Sequence, residues 1–563
     1  MRTFLALITL FLLYSTSSIA QVAQPIPYQN GAISTADQYA TEAGLEILQK
    51  GGNAVDAAIA VQFALAVTLP RAGNIGGGGF MVLRLASGEV KTLDFREKAP
   101  ANARRDMFLD DEGNYVPEKS REGGLASGVP GTVDGMISAL ERYGTLPLEV
   151  IMEPAINLAH NGFRLSYSHA QSLNNNRENL SKFEETKSVF LRSDGSQWRE
   201  GQLFIQNELG ETLERIARQG RDGFYSGITA RLIVQELQRQ GGVMTLRDLR
   251  NYSSEWREPV EATFNDYRFY MMAPPSSGGI VMSQVLSMID SRDIESKGVN
   301  SSGYIHLLSE AFKRSFADRN YYLGDPDFVD MPIDTLLSDS YSQRRFSTFN
   351  PDSTTSSEQI SHGDITGFSE QDETTHFSVA DRDGNAVAIT TTLNGSFGSY
   401  VTVSGAGFLL NNEMDDFSAK PGEPNMFGLI GAEANAVEPN KRMLSSMSPT
   451  IVTKNGEVRV IAGAAGGPRI ITSTLLTILN VILHDMSATQ AISTPRFHHQ
   501  WLPDRIDYEP LAISDDTKLM LEQKGHILRP VSSIARVHLL VIDEDGNHYG
   551  AADPRGDGRV MGY

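Results

Sequence analysis

Thr374 and Thr375 open a β-rich stretch directly after a polar, turn-rich arm that runs from Asn350 to Glu373. β-Branched and aromatic residues fill Thr374 to Ala380, a turn follows at Asp383-Gly384-Asn385, and a second such run spans Ala386 to Thr392. Cutting the chain before Thr374 would put a hydroxyl and a free α-amine on one residue, the N-terminal threonine form of an activated nucleophile. The ordinary alternative is that threonine opens a strand because strands favour it. The Thr-Thr pair alone does not separate the two. A two-residue hairpin at Asp383-Gly384 would pair Arg382 with Asn385 and set Thr374 opposite about Leu393. Thr392 and Asn394 would then flank the candidate nucleophile from the neighbouring strand.

The elements that must position these groups are legible in outline. Ala54 to Val67 is so rich in Ala, Val, Ile and Leu that it reads as a buried helix. Asn74-Ile75-Gly76-Gly77-Gly78-Gly79-Phe80 leads into a strand over Met81 to Leu85. Four glycines suggest a phosphate cradle, but no Lys-Ser/Thr follows and the order is loop to strand, so close backbone packing is the expected reason. Lys91 to Lys98 is a strand entering a loop, with Arg96 near its end. Helices are expected at about Val133–Tyr143, Ile280–Ile289, Tyr304–Arg319 and Ile470–His484, with a mainly helical region from Leu148 to Arg239. Strands are expected at Tyr267–Met272, Ile451–Lys454 and Val458–Ala462. The acids at 413, 415 and 416 do not have the spacing of a calcium loop, and His498-His499 lacks a partner at zinc spacing. No metal and no cofactor is expected.

The chain of 563 residues carries a net charge of −20, which argues against nucleic acid as a partner. Met1-Arg2, the apolar run Phe4 to Leu13 and Ser18-Ile19-Ala20 have the form of a secretory signal peptide over residues 1–20. With no cysteine, an exported protein of this kind must be stabilised by packing rather than disulfides. A periplasmic or secreted location is expected, without a membrane span in the mature protein.

Several long motifs in order resemble γ-glutamyltransferase (γ-glutamyltranspeptidase). They are Thr374-Thr375-His376-Phe377-Ser378-Val379, Asn411-Asn412-Glu413-Met414-Asp415-Asp416-Phe417, Leu444-Ser445-Ser446-Met447-Ser448-Pro449-Thr450 and Gly76 to Phe80. Pro274-Pro275-Ser276-Ser277-Gly278-Gly279 and Ala552-Asp553-Pro554-Arg555 match as well. The resemblance implies an α+β fold of the N-terminal-nucleophile hydrolase type, a four-layer αββα sandwich. It implies self-cleavage between Glu373 and Thr374 into a large subunit (residues 21–373) and a small subunit (374–563) that remain together as a heterodimer. Its substrates would be glutathione and other γ-glutamyl compounds, with water or an amino acid or dipeptide as acceptor.

The resemblance also assigns roles. Thr374 would be the nucleophile with its own α-amine as base, Thr392 its hydrogen-bonding partner, and Gly466 and Gly467 the backbone oxyanion hole. Arg96, Ser445 and Ser446 would hold the donor's α-carboxylate, Glu413 and Asp416 its α-ammonium, and Asn394 would help hold the substrate. Pro421 to Lys441 resembles a lid loop. Its tip, often Tyr in lid-bearing bacterial relatives, is Phe427 here, which suggests a looser lid and a balance shifted toward hydrolysis. Glu413 stands where many bacterial relatives carry Gln. A glutaryl or cephalosporin acylase would share the machinery, but a glutaryl donor has no amine for Glu413 and Asp416. An uncut glutamyl-binding protein is the second alternative.

Overall fold

The computed structural model describes residues 26–360, 374–420 and 422–563. The signal peptide at residues 1–20, Glu373 and Pro421 lie outside the described residues.

Two antiparallel sheets stack face to face. The first runs, edge to edge, through Arg559–Gly562, Gly31–Thr35, Thr375–Asp381, Ala386–Thr392, Gly78–Arg84, Val90–Asp94 and Glu255–Arg257. The second runs through His548–Ala551, Arg536–Ile542, Glu457–Ala465, Thr450–Lys454, Tyr267–Met271 and Val260–Phe264. Residues from both sides of Thr374 contribute strands to each sheet. A cut before Thr374 would therefore leave two interleaved pieces rather than two domains.

Alternation along Thr375–Asp381 sorts its side chains to the two faces. Phe377 and Val379 enter the core under the helices Gln38–Gln49 and Ala54–Thr68. Ala380 enters the core shared with the second sheet. That second sheet is covered in turn by Gly278–Ile289, Ser302–Tyr322 and Arg469–His484. The result is the four-layer αββα sandwich. Ala54–Thr68 is buried on every face, in keeping with its mostly apolar sequence, and starts from an Asn53/Asp56 capping box.

The glycine run is explained by packing. A Cβ at Gly77 would meet the Thr392 carbonyl oxygen at 2.1 Å, and one at Gly79 would meet the Thr390 carbonyl oxygen at 2.3 Å. The strand therefore begins at Gly78, three residues earlier than the apolar pattern suggests, because Gly78 and Gly79 belong to the ladder that carries Thr392. Gly463 is likewise inside the strand Glu457–Ala465, since His376 lies 2.4 Å from where its Cβ would be.

The hairpin register differs from the expected one. Asp381 pairs with Asn385, and the ladder runs Ala380↔Ala386 through Thr375↔Thr391. The loop has three residues, Arg382 to Gly384, with Gly384 at φ +92°. The Asp381 carboxylate selects it by accepting the Asp383 and Asn385 backbone N–H groups, both at 3.0 Å. This one-residue correction sets Thr374 opposite Thr392 rather than Leu393.

Candidate active site

Thr374 sits where the strand Thr375–Asp381 begins and is 7 % exposed. Its Oγ1 is 3.4 Å from Oγ1 of Thr392, which also accepts the Asn394 backbone N–H at 2.8 Å. Asn394 adopts φ +75°, a left-handed conformation that asparagine tolerates. This bend ends the strand and directs the Asn394 amide to the Asn412 carbonyl at 3.0 Å.

These residues form one wall of a cavity holding about 540 Å³ of unfilled space, part of it open to solvent. Arg96, Glu413, Asp416, Ser445, Ser446, Phe427 and Gly467 also line it. Gly466 sits one residue behind Gly467, at the turn between the strand Glu457–Ala465 and the helix Arg469–His484. Their φ values of +143° and +51° explain why both are glycine. Backbone N–H groups at such a helix start suit a developing negative charge.

The charged end of the cavity is paired within itself. Arg96 is wholly buried and donates Nη1 to Glu413 and Nη2 to Asp416. Its Nε and Nη2 reach the Met443 and Leu444 carbonyls, each at 3.3 Å. Burial pushes Asp416 up to about 6 despite the neighbouring guanidinium, and it raises Glu413 well above the carboxylate range. Glu97, also buried and 3.7 Å from Arg96, is pushed by burial up to about 7. A zwitterion with carboxylate and ammonium on one carbon could exchange with these internal pairs, giving each ion a partner of opposite sign.

Above the acids lies the segment 422–441. Phe427 is 4 % exposed and walls the cavity. The atom beside the Asn394 amide is the Met426 sulfur, at 3.6 Å. The loop is tied down at its tip, where Asn425 Nδ2 donates to Asp416 at 3.2 Å and the Met426 N–H donates to Asp415 at 2.8 Å. Asp415 is itself held by the Tyr115 hydroxyl at 2.8 Å and the Ser120 hydroxyl at 2.6 Å. The sequence places Asp415 in an acidic cluster and in the Asn411–Phe417 motif without a role of its own; its place as the loop's anchor comes from tertiary contacts.

Among the described residues, two further clusters are taken up by internal hydrogen bonds. His498 bonds Thr472 and Gln500, both at 2.8 Å, which makes it structural. His306, Glu310 and His526 lie within ligand range of one another. However, the two rings share a 2.7 Å hydrogen bond, and Glu310 is held by Lys313 and Arg314. This group anchors the start of the arm instead. Thr354 and Thr355 bond Glu310, and Ser357 bonds Trp501 and Asp504. The arm is thus held through Ile360, which is buried; residues 361–373 lie outside the described residues.

The γ-glutamyltranspeptidase family model matches residues 40–563. The chain belongs to the γ-glutamyltranspeptidase family. It is 44 % identical over 544 residues to a glutathione hydrolase proenzyme of Escherichia coli (strain K12), covering 96 % of this chain and 93 % of that one. A γ-glutamyltranspeptidase structure from Helicobacter pylori is 43 % identical, with a TM-score of 0.57, over 61 % of this chain and 95 % of that one. A cephalosporin acylase structure from Bacillus halodurans shares the whole fold, with a TM-score of 0.83 and 98 % coverage of both chains, at 25 % identity. No helix among the described residues is long and apolar enough to cross a membrane.

Proposed function

We propose that this chain is a self-processing γ-glutamyltransferase and glutathione hydrolase whose nucleophile is Thr374. One observation carries the reading: the Thr374–Thr392 hydroxyl pair and the Arg96–Glu413–Asp416 cluster line the same cavity. A hydroxyl faces a reacting carbonyl at one end, and both charges of an amino acid are matched at the other.

Maturation and turnover use the same atoms. The Thr374 hydroxyl attacks the carbonyl of residue 373, converting the peptide bond to an ester that water hydrolyses. This frees the α-amine, whose ordinary pKa of about 7.7–8.0 suits a general base near neutral pH. In turnover the hydroxyl attacks the donor's γ-carbonyl while its proton passes by way of the α-amine to the leaving amine. Negative charge on the carbonyl oxygen is stabilised by N–H groups at Gly466 and Gly467. Water or an acceptor amine then resolves the γ-glutamyl ester. Arg96, Ser445 and Ser446 take the donor's α-carboxylate, and Glu413 and Asp416 take its α-ammonium. The large and small subunits remain a heterodimer because their strands interleave, and the leader directs the protein to the periplasm or the medium.

Intact mass on protein expressed with its leader is the test. Two chains, the smaller beginning at Thr374, are expected; a single chain would return Thr374 to an ordinary strand residue. Acylase activity remains the second reading because of the shared fold, and rates on γ-glutamyl and glutaryl anilides separate the two.

The lid carries its own expectation. Replacing Phe427 with Tyr adds a hydroxyl to the cavity wall that could bond toward Asn394, whose amide now donates to the Asn412 carbonyl and lies 3.6 Å from the Met426 sulfur. One neutral hydrogen bond of about 0.5–1.5 kcal/mol should raise the transfer-to-hydrolysis ratio about two- to tenfold. Equal ratios in wild type and Phe427→Tyr would remove the lid from this balance.

A further inference from the structure

Arg319 is a second guanidinium at the donor cavity, and no motif pointed to it. It lies near the end of the helix Ser302–Tyr322, is 3 % exposed and lines the cavity wall. Unlike Arg96, it has no carboxylate within ion-pair distance among the described residues. Its partners are neutral: Nε donates to Ser277 Oγ at 3.1 Å, Nη1 to Asn320 Oδ1 at 3.0 Å and Nη2 to Ser446 Oγ at 3.2 Å. Burial lowers its pKa to about 10, so it stays charged at neutral pH.

A buried charge without a counter-ion is costly, and the partners of Arg319 indicate which anion is missing. Ser446 accepts from Arg319, so its own O–H is free to donate into the cavity. Ser277 uses its remaining hydrogen on the Ser445 carbonyl at 2.6 Å, and its backbone N–H reaches the same oxygen at 2.8 Å. A single guanidinium therefore fixes Ser446 through its side chain and Ser445 through Ser277.

We infer that Arg319 is a positioning residue that sets both serines as donors and supplies the second positive charge selecting substrates with an α-carboxylate. This rests on the γ-glutamyl donor reading above and extends it. While Arg96 is paired to the acids, Arg319 keeps the carboxylate end positive until the donor's ammonium takes those acids over.

The test compares kcat/KM for a γ-glutamyl anilide and for its α-carboxamide analogue, using protein first shown by gel to be cleaved. Wild type should prefer the carboxylate donor. Arg319→Gln should lose about 10- to 100-fold on that donor, mainly in KM, the range for a hydrogen bond to a charged group. The carboxamide donor should change less than about threefold, and Arg319→Lys should restore part of the preference because charge survives without the fork. Equal losses on both donors would make Arg319 merely structural, and an unchanged preference in Arg319→Gln would also overturn the inference. If Arg319→Gln is not cleaved, Arg319→Lys decides: a preference lowered but present supports the inference, and one identical to wild type refutes it. A wild type inactive on the γ-glutamyl donor would instead refute the donor reading itself.

Discussion

Thr374→Ala should run as one uncut chain and show no measurable γ-glutamyl transfer or hydrolysis. Removing one hydroxyl deletes the group that opens the peptide bond and the group that forms the ester. Loss of a nucleophile in a serine protease triad costs on the order of a millionfold in kcat, and here the base is lost with it. An uncut Thr374 has no free α-amine, so even the remaining machinery would lack its proton acceptor. Misfolding is separated from chemistry by Thr374→Ser, which keeps the hydroxyl and drops only a methyl group. That variant should cleave, more slowly, because the methyl group helps hold one rotamer beside Thr392. Its hydroxyl partner 3.4 Å away is unchanged. Intact mass and anilide hydrolysis read both variants. A cleaved, active Thr374→Ala would move the nucleophile elsewhere, and Thr375, the next hydroxyl in the chain, would be the first to examine.

The catalytic end of the cavity is legible in the amino-acid sequence, while much of the binding end is not. Period-two alternation and a turn put Thr374 and Thr392 on adjacent strands, which local rules can do. The error of one residue arises because Asp381, not the Asp383-Gly384 pair, selects the loop. A side chain accepting backbone N–H groups two and four residues ahead leaves little trace in a turn dipeptide. The two serines and Arg96 come only from family resemblance, since they are far apart in sequence and meet through the fold. Arg319 leaves a faint signal: Ala311 to Asn320 sets Lys313, Arg314, Asp318 and Arg319 among apolar residues, and every residue of that stretch is buried. A helix that buries arginine and lysine on several faces must supply partners or anions to them. The aim of the Arg319 guanidinium at Ser446 depends on where the chain crosses between helix and loop, which no local pattern encodes.

Asp416→Asn should lower kcat/KM on a γ-glutamyl anilide about thirtyfold or more and remove the acid limb of its pH profile. Asp416 faces Arg96, Glu413, Asp415 and Arg319. Burial holds it near 6, so at lower pH it is largely protonated and cannot pair with the donor's ammonium. The sign follows: kcat/KM reports the free enzyme and should rise as pH increases through about 6. A second rise should follow near about 8 as the Thr374 amine loses its proton. Asparagine keeps the shape and cannot ionise, so the lower limb should vanish while the upper one stays. The loss itself reflects a buried ammonium left with one carboxylate, Glu413, where unpairing such a charge costs about 2–5 kcal/mol. A glutaryl anilide has no ammonium to strand, so its rate should change little and the preference between the two donors should shrink. A lower limb that persists in Asp416→Asn would assign it to Glu97 or Glu413, the other raised carboxylates beside Arg96. If the two donors lost rate in parallel, Asp416 would be holding the lid through Asn425 rather than the substrate. The two roles are separable because the lid covers either donor, whereas only one of them carries the charge that Asp416 is placed to meet.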